Sequence, residues 1–164
     1  KKRPFTTREI NRLWKQADNA AVQDVLILIY TGLRIGEYLS LKPQDIKIRE
    51  RYIDIRHSKT EAGIRKVPIS KRILLFLAAR KRQKIICASD TYDAFRRQWD
   101  RTMKQLAMHH TPHECRHTLA SLLDSAGVND TVTKMILGHA RRGVTKAVYT
   151  HKTLHELRKA VDNL

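Results

Sequence analysis

The first part of the chain places apolar residues at helical spacing between polar stretches. Thr6 and Glu9 match a capping box, in which each side chain bonds the backbone of the other residue at the start of a helix. A helix is therefore predicted over 7–17, and its apolar face is formed by Ile10, Leu13 and Trp14.

The segment 20–31 is strongly apolar, which indicates a buried helix that ends at Gly32. Arg34 follows directly, so its side chain is expected at a rigid turn. A short helix over 35–41 should come next and end before Pro43, because proline cannot continue a helix.

The middle of the chain changes to a period of two. Isoleucines alternate with charged residues over 46–55, which predicts a hairpin with its turn near Glu50 and Arg51. Alternation resumes over 64–69 as a third strand. Lys59 would then lie on the polar loop between the second and third strands.

The second half returns to helical spacing. Helices are predicted over 71–82, 92–108, 112–126, 130–137, 142–149 and 154–161. The predicted fold class is α+β, mostly α-helical with a small three-stranded antiparallel sheet, and 164 residues suit one domain.

The net charge of the chain indicates what kind of partner it binds. The chain has 33 Lys and Arg against 16 Asp and Glu, which gives a net charge of +17. No acidic residue lies between Glu61 and Asp90, or between Asp130 and Glu156. A solvated basic surface is the simpler explanation, but basic residues concentrated in two segments favour binding to a nucleic-acid backbone.

Other composition signals exclude several classes. The two cysteines, Cys87 and Cys115, do not form a disulfide framework, so a reducing cytosol fits. The longest uninterrupted apolar run, 73–79, is far too short to span a bilayer. No signal-peptide core follows the N-terminus.

Six scattered polar residues suggest a common chemistry. Two arginines, a lysine and two histidines suit a phosphate, and a tyrosine can serve as a nucleophile if cations or a base activate it. The set predicts phosphoryl transfer through a covalent phosphotyrosine, without a metal or cofactor. Its members are Arg34, Lys59, His113, Arg116, His139 and Tyr149.

Simpler roles exist for each residue. Arg34 could form a structural ion pair with Glu37, although an orienting role for Glu37 is preferred. Tyr149 could be a core or interface residue. His109 and His110 are expected to be solvated loop histidines.

The segment 113–117 matches the HExxH pattern of zinc proteases. Two observations count against this interpretation: His113 follows Pro112 and so lies in the first helical turn, and a protease has no use for such a basic field. If the segment is helical, His113 and Arg116 share a face. His117 is then expected to point elsewhere and pack.

Four motifs occur in order along the chain. They are Thr-Gly-Leu-Arg-Ile-Gly-Glu at 31–37, His-x-x-Arg-His-Thr at 113–118, Leu-Gly-His at 137–139, and Tyr149 ten residues beyond His139. Each motif is weak alone, but together, with this spacing, they resemble the tyrosine recombinases and especially the phage integrases. The resemblance covers essentially the whole chain.

The resemblance implies a role for each phosphate-binding residue. Arg34 and Arg116 look like the paired arginines on the scissile phosphate. His113 resembles the histidine that assists proton transfer and phosphate binding, and His139 the histidine that donates to a nonbridging oxygen.

The remaining two roles are also implied by the resemblance. Lys59 looks like the mobile general acid that protonates the departing 5′ oxygen, with Lys66 as the fallback. Tyr149 looks like the nucleophile that forms a 3′-phosphotyrosyl link.

The same resemblance implies the setting in which the chain acts. Residues 1–164 would be a catalytic domain preceded by an N-terminal DNA-binding domain. Its substrate would be double-stranded DNA, recombined in the cytoplasm at the bacterial nucleoid by a homotetramer on paired sites, with accessory DNA-bending or directionality proteins. The helix over 154–161 would dock on a neighbouring protomer or, alternatively, pack within its own chain.

Three other functions are compatible with the sequence. A type IB topoisomerase-like enzyme shares the same chemistry. A zinc metalloprotease and a non-catalytic DNA-binding module are the other two.

Overall fold

The computed structural model describes residues 2–139 and 151–164, with the side chains of 151 and 152 excepted. It confirms the predicted fold class, because the described chain is mostly helical with one small antiparallel sheet. The helix predicted over 142–149 and the proposed nucleophile Tyr149 lie outside the described residues.

The first three helices follow the predicted order. They are α1 (Thr7–Trp14), α2 (Ala20–Thr31) and α3 (Ile35–Leu39). α1 starts with the predicted capping box, and Gly32 ends α2 in the left-handed conformation with φ of 64°. α1 and α3 are shorter than predicted, since they end at Trp14 and Leu39 instead of at residues 17 and 41.

The sheet has the strand order β1-β2-β3, with β1 Ile46–Lys47, β2 Tyr52–Ile55 and β3 Arg65–Pro68. Both strand pairs are antiparallel. The buried face of the sheet is formed by Ile46, Ile53, Ile55, Arg65 and Val67. An arginine therefore occupies a position that strand alternation directs toward the core.

The helices that follow are close to their predicted positions. They are α4 (Leu74–Gln83), α5 (Tyr92–Gln105), α6 (Pro112–Ser125), α7 (Asp130–Leu137) and α8 (His151–Asp162). Residues 71–73 form a 3₁₀ turn before α4. None of the helices within the described residues is long and apolar enough to cross a bilayer.

Two groups of buried side chains hold these elements together. The larger group joins α1, α2, α5 and the sheet, and α2 packs against α6. The smaller group joins α6, α7 and α8 through Leu119, Leu123, Ile136, Leu137, Leu157 and Val161.

The C-terminal helix α8 packs within its own chain. Leu157 and Val161 are fully buried, and α8 contacts β3 and α7. Of the two placements considered from the sequence, the structure therefore shows the second, in which the helix covers the domain that it belongs to.

A buried ion pair joins α2 and α4. Arg80 of α4 is bonded to Asp24 of α2, and it also donates to Tyr38 Oη at 2.9 Å and to the carbonyl oxygen of Ile86 at 2.6 Å. This network joins α2, α3 and α4.

His110 is buried, so the expectation of a solvated loop histidine was wrong. Its ring stacks on Phe5 at a centroid distance of 3.7 Å. Its Nδ1 lies 3.2 Å from Glu114 and its Nε2 lies 3.2 Å from Glu9. The histidine thus joins the N-terminal segment to the start of α6.

Candidate active site

Arg34 is the N-cap residue of α3, two residues after the left-handed Gly32. Its side chain is 42% exposed and donates to Glu37 at 3.1 Å, and its backbone N–H donates to the same carboxylate at 2.9 Å. Glu37 therefore fixes the start of α3 while the guanidinium of Arg34 remains open to solvent.

Glu37 has a second arginine partner. Arg65 of β3 donates to its two carboxylate oxygens at 2.9 and 3.1 Å. Burial raises the pKa of Glu37, but the hydrogen bonds and charges of Arg65 and Arg34 together outweigh burial, and the pKa lies below its usual value. Glu37 is thus a carboxylate at physiological pH and bridges Arg34 to Arg65, which agrees with an orienting role.

Arg116 is buried in the second turn of α6. It donates to the carbonyl oxygen of Gly32 at 2.9 Å and to that of Leu137, so it joins the end of α2 to the end of α7. Burial, Arg34 and Arg65 together lower its pKa to about 10, which still leaves the guanidinium charged at neutral pH. This concentration of positive charge is suited to an anion.

His113 is one turn before Arg116, in the first turn of α6 as predicted. Partial burial and the neighbouring His117, Lys2, Arg116 and Arg34 lower its pKa. Its ring is therefore neutral at pH 7 and can accept a proton.

His117 is exposed, so the expectation that it packs was wrong. Its ring meets that of His113 edge to face, with centroids 4.9 Å apart. The two histidines are four residues apart on α6, which places them on one side of the helix.

His139 follows Gly138, the left-handed residue that ends α7. Partial burial and the positive charges of Arg116, Arg34 and Arg65 lower the pKa of its side chain. The structure thus brings His139, His113, Arg34 and Arg116 into one electrostatic neighbourhood, although they come from three separate parts of the chain.

Lys59 lies on the exposed loop between β2 and β3, as predicted. This loop and α3 form the two sides of a cleft of about 870 Å³, whose lining includes Arg34, Glu37, Ser58 and Lys59. The fallback residue Lys66 lies on β3, where its Nζ is 4.8 Å from the centre of the Tyr52 ring. Lys59 thus shares a cleft with Arg34, whereas Lys66 packs against an aromatic ring.

The HExxH match is explained by helix capping. Glu114, its acidic residue, accepts from the backbone N–H of Thr111 at 2.7 Å and from that of Arg3 at 3.0 Å. A carboxylate so engaged is not directed toward a metal-bound water. Within 2–139 and 151–164, no three His, Cys, Asp or Glu residues form a group that could hold a metal ion.

Sequence reasoning missed Arg65. The signal that could have found it is strand parity: Arg65 shares its face of β3 with the fully buried Val67, and the alternation continues to the fully buried Ile69 just after the strand. A buried guanidinium requires a carboxylate or several carbonyl oxygens as partners. The structure supplies both, at Glu37 and at the carbonyl oxygens of Gly63 and Ile136.

Residues 3–156 match the Phage integrase family, which is nearly the whole chain. The chain belongs to this family. The membership agrees with the fold and with the order of the four motifs.

Individual members of the integrase family show the same likeness. The tyrosine recombinase XerA of Pyrococcus horikoshii is 27% identical over 96% of this chain and 60% of its own length. The integrase of Escherichia phage 186 is 32% identical over 97% of this chain and 50% of its own length. The chain thus spans 50% to 60% of the length of these two relatives.

A solved structure of the integrase family has the same fold. The Tn1549 transposon integrase in complex with transposon right end DNA superimposes with a TM-score of 0.66 at 24% identity, over 86% of this chain and 59% of that one.

Proposed function

We propose that this chain is the catalytic domain of a DNA recombinase that cuts and rejoins double-stranded DNA through a 3′-phosphotyrosyl intermediate. One observation carries the proposal: Arg116 bonds the carbonyl oxygens of Gly32 and Leu137, which come two residues before Arg34 and His139. His113 lies one turn before Arg116 on α6, and in this cluster of two arginines and two histidines both arginines lower the pKa of each histidine. Such a cluster is complementary to the negative charge of a phosphodiester under attack.

In this proposal, the phenol oxygen of Tyr149 attacks the phosphorus and forms the new P–O bond. The bond to the 5′ oxygen breaks, and Lys59 gives that oxygen a proton. The proton of Tyr149 passes to His113, whose lowered pKa keeps its ring ready to accept one at pH 7.

Arg34 and Arg116 hold the nonbridging oxygens in this scheme. Their guanidinium groups remain charged and donate planar pairs of hydrogen bonds. His139, on the C-terminal side of Gly138, donates to a nonbridging oxygen from its neutral ring. One phosphodiester is exchanged for another ester of similar energy, so the reaction needs no nucleotide hydrolysis.

The test is covalent trapping on a nicked duplex that releases the 5′ fragment after cleavage. We expect the wild-type chain to form a protein–DNA adduct and Tyr149→Phe to bind the duplex without forming one. Tyr92→Phe, a change at an exposed tyrosine on α5, is the matched control and should form normal adduct. Normal adduct from Tyr149→Phe would refute the assignment of the nucleophile.

The proposed partner is a DNA duplex, and the net charge of +17 supports it. Contacts between cations and phosphates release counterions, so affinity should fall steeply as salt rises. An affinity that is constant from dilute to moderate salt would contradict the phosphate contacts.

The complete protein would add a DNA-binding domain before this chain and would act at the nucleoid as a tetramer on paired sites, with accessory proteins. Relatives that span more residues than this chain support the extra domain. The matched relatives are named recombinase, transposase and integrase, which favours strand exchange over topoisomerase-like relaxation or proteolysis.

A further inference from the structure

Arg65 occupies an unusual position between the proposed site residues. Its side chain is only 1% exposed, so it cannot reach a DNA phosphate without moving. Each of its three nitrogens has a partner. Nη1 and Nη2 donate to the carboxylate of Glu37. Nη1 also donates to the carbonyl oxygen of Gly63 at 2.8 Å, and Nε donates to the carbonyl oxygen of Ile136 at 2.8 Å.

These partners belong to three different elements. Glu37 lies in α3 and holds Arg34. Gly63 lies at the end of the loop that carries Lys59. Ile136 lies in the last turn of α7, three residues before His139. One guanidinium therefore links the three segments on which three of the proposed site residues are placed.

Two glycines show how closely these segments pack around Arg65. A Cβ on Gly138 would lie 2.9 Å from Arg65 Cδ and 2.9 Å from the carbonyl oxygen of Ala62. A Cβ on Gly63 would lie 1.8 Å from Ser58 Oγ. The end of α7, the lysine loop and Arg65 are thus in direct contact, with no space for a side chain between them.

We propose that Arg65 is a positioning residue that holds the Lys59 loop, Arg34 and His139 in one arrangement. The proposal rests on the proposed function and deepens it, because it explains how an exposed loop lysine and a phosphate-binding arginine are held on one cleft. The planar guanidinium donates in several fixed directions at once, which a lysine ammonium cannot reproduce.

The first experiment is amide hydrogen–deuterium exchange on this chain without DNA. Arg65→Gln should speed exchange in 33–37, 56–64 and 134–139 and leave the rest of the chain as in the wild type. Arg80→Gln is the matched control, because Arg80 is also a buried, carboxylate-paired arginine bonded to a carbonyl oxygen. Arg80 touches α3 through Tyr38 but bonds neither the Lys59 loop nor α7, so 56–64 and 134–139 are the segments that distinguish the two variants. The same exchange pattern in both variants, or no change in the three segments, would overturn the proposal.

The second experiment separates positioning from stability by changing the leaving group. Arg65→Gln should cleave an ordinary nicked duplex about 100-fold more slowly, the size of loss that a small misplacement of catalytic groups causes. A duplex with sulfur in place of the departing 5′ oxygen needs no proton from Lys59, since thiols are far stronger acids than alcohols. On the sulfur-containing duplex, Arg65→Gln should therefore be closer to the wild-type cleavage rate than it is on the ordinary duplex.

Arg80→Gln and Arg65→Lys complete the design. Arg80→Gln should reduce the cleavage rate by the same factor on both duplexes. Arg65→Lys should cleave faster than Arg65→Gln but more slowly than the wild type, because it keeps the positive charge but not the bonds to all three segments. Equal losses on both duplexes for Arg65→Gln would contradict a role in placing Lys59. A wild-type chain that forms no adduct would refute the proposed function instead, and the exchange experiment would still decide the role of Arg65.

Discussion

Arg116 donates a hydrogen bond of 2.9 Å to the carbonyl oxygen of Gly32, the residue that ends α2. The bond joins two of the sequence motifs, because Gly32 precedes Arg34 by two residues and Arg116 follows His113 by three. Gly32, whose carbonyl oxygen accepts this bond, has a left-handed backbone with φ of 64°. The turn that ends α2 and the position of Arg116 are therefore coupled.

Gly32→Ala should be more damaging than an equivalent change elsewhere. The new Cβ would lie 2.8 Å from methyl groups of both Leu119 and Leu137, and the left-handed backbone would be strained as well. Gly127→Ala is the matched control, since Gly127 has φ of 71° and open space around it. Strain alone should cost about 1–2 kcal/mol at Gly127, and urea unfolding should show a larger loss at Gly32. Equal losses would contradict the close packing.

Arg116→Lys should slow cleavage while leaving the chain folded. One ammonium cannot reach Gly32, Leu137 and a phosphate oxygen together, so a donor to the transition state is lost. Single-turnover adduct formation should fall by about 100- to 1,000-fold, with the duplex affinity measured in parallel. A variant that cleaves at the wild-type rate would remove Arg116 from the proposed site.

Arg34→Gln should raise the pKa of both His113 and His139. Each pKa lies below 6.5 partly because positive charge nearby disfavours the protonated ring, and Arg34 contributes to both. Imidazole NMR titration measures the two midpoints directly. Arg82→Gln, a change at an exposed arginine on α4, is the control and should shift neither midpoint.

The lowered pKa values of His113 and His139 also determine how the stability of the folded chain depends on pH. The unfolded chain binds protons on these histidines near 6.5, whereas the folded chain binds them only at lower pH. Their contribution to the free energy of unfolding is complete above pH 6.5. It is lost as the pH falls through the pKa values that these histidines have in the folded chain. Arg34→Gln should reduce that loss.

Glu9→Gln should weaken the attachment of the N-terminal segment to α6. Burial raises the pKa of Glu9, but hydrogen bonds from Arg3 and Thr6 outweigh it and lower the pKa from 4.5 to about 2. The stability that this carboxylate contributes is therefore present above pH 4.5 and is lost as the pH falls toward about 2. The variant should be less stable at neutral pH by about 1–3 kcal/mol.

Urea unfolding at a series of pH values checks the Glu9 prediction. The curve for Glu9→Gln should be flatter than the wild-type curve in the acid range. Asp100→Asn, a change at an exposed carboxylate on α5, should leave that curve unchanged. Parallel curves for Glu9→Gln and the wild type would show that Glu9 carries no such contribution.

Local signals were sufficient to predict most of the fold. The capping box at Thr6 and the stop at Gly32 each act within a few residues, so α1 begins and α2 ends where the sequence predicts. Strand alternation also placed Lys59 on the loop that the structure shows. Helix ends such as that of α5 were predicted too far along, because apolar residues beyond Gln105 are buried without being helical.

Contacts between distant segments could not be predicted in the same way. His110 is buried because Glu9 and Phe5, about a hundred residues away, enclose its ring. Arg65 is buried because Glu37 and Ile136 supply its partners. The motif resemblance proposed which residues act on a phosphate, whereas only the coordinates show what holds them in place.

The crowding of cations around Arg116 has a consequence for the protein away from its substrate. Like charges repel one another there, and Glu37 offsets only part of the repulsion. An incoming anion would relieve it and shift the folding equilibrium by mass action. If the chain binds DNA as proposed, the bound molecules should therefore resist proteolysis for longer than free ones.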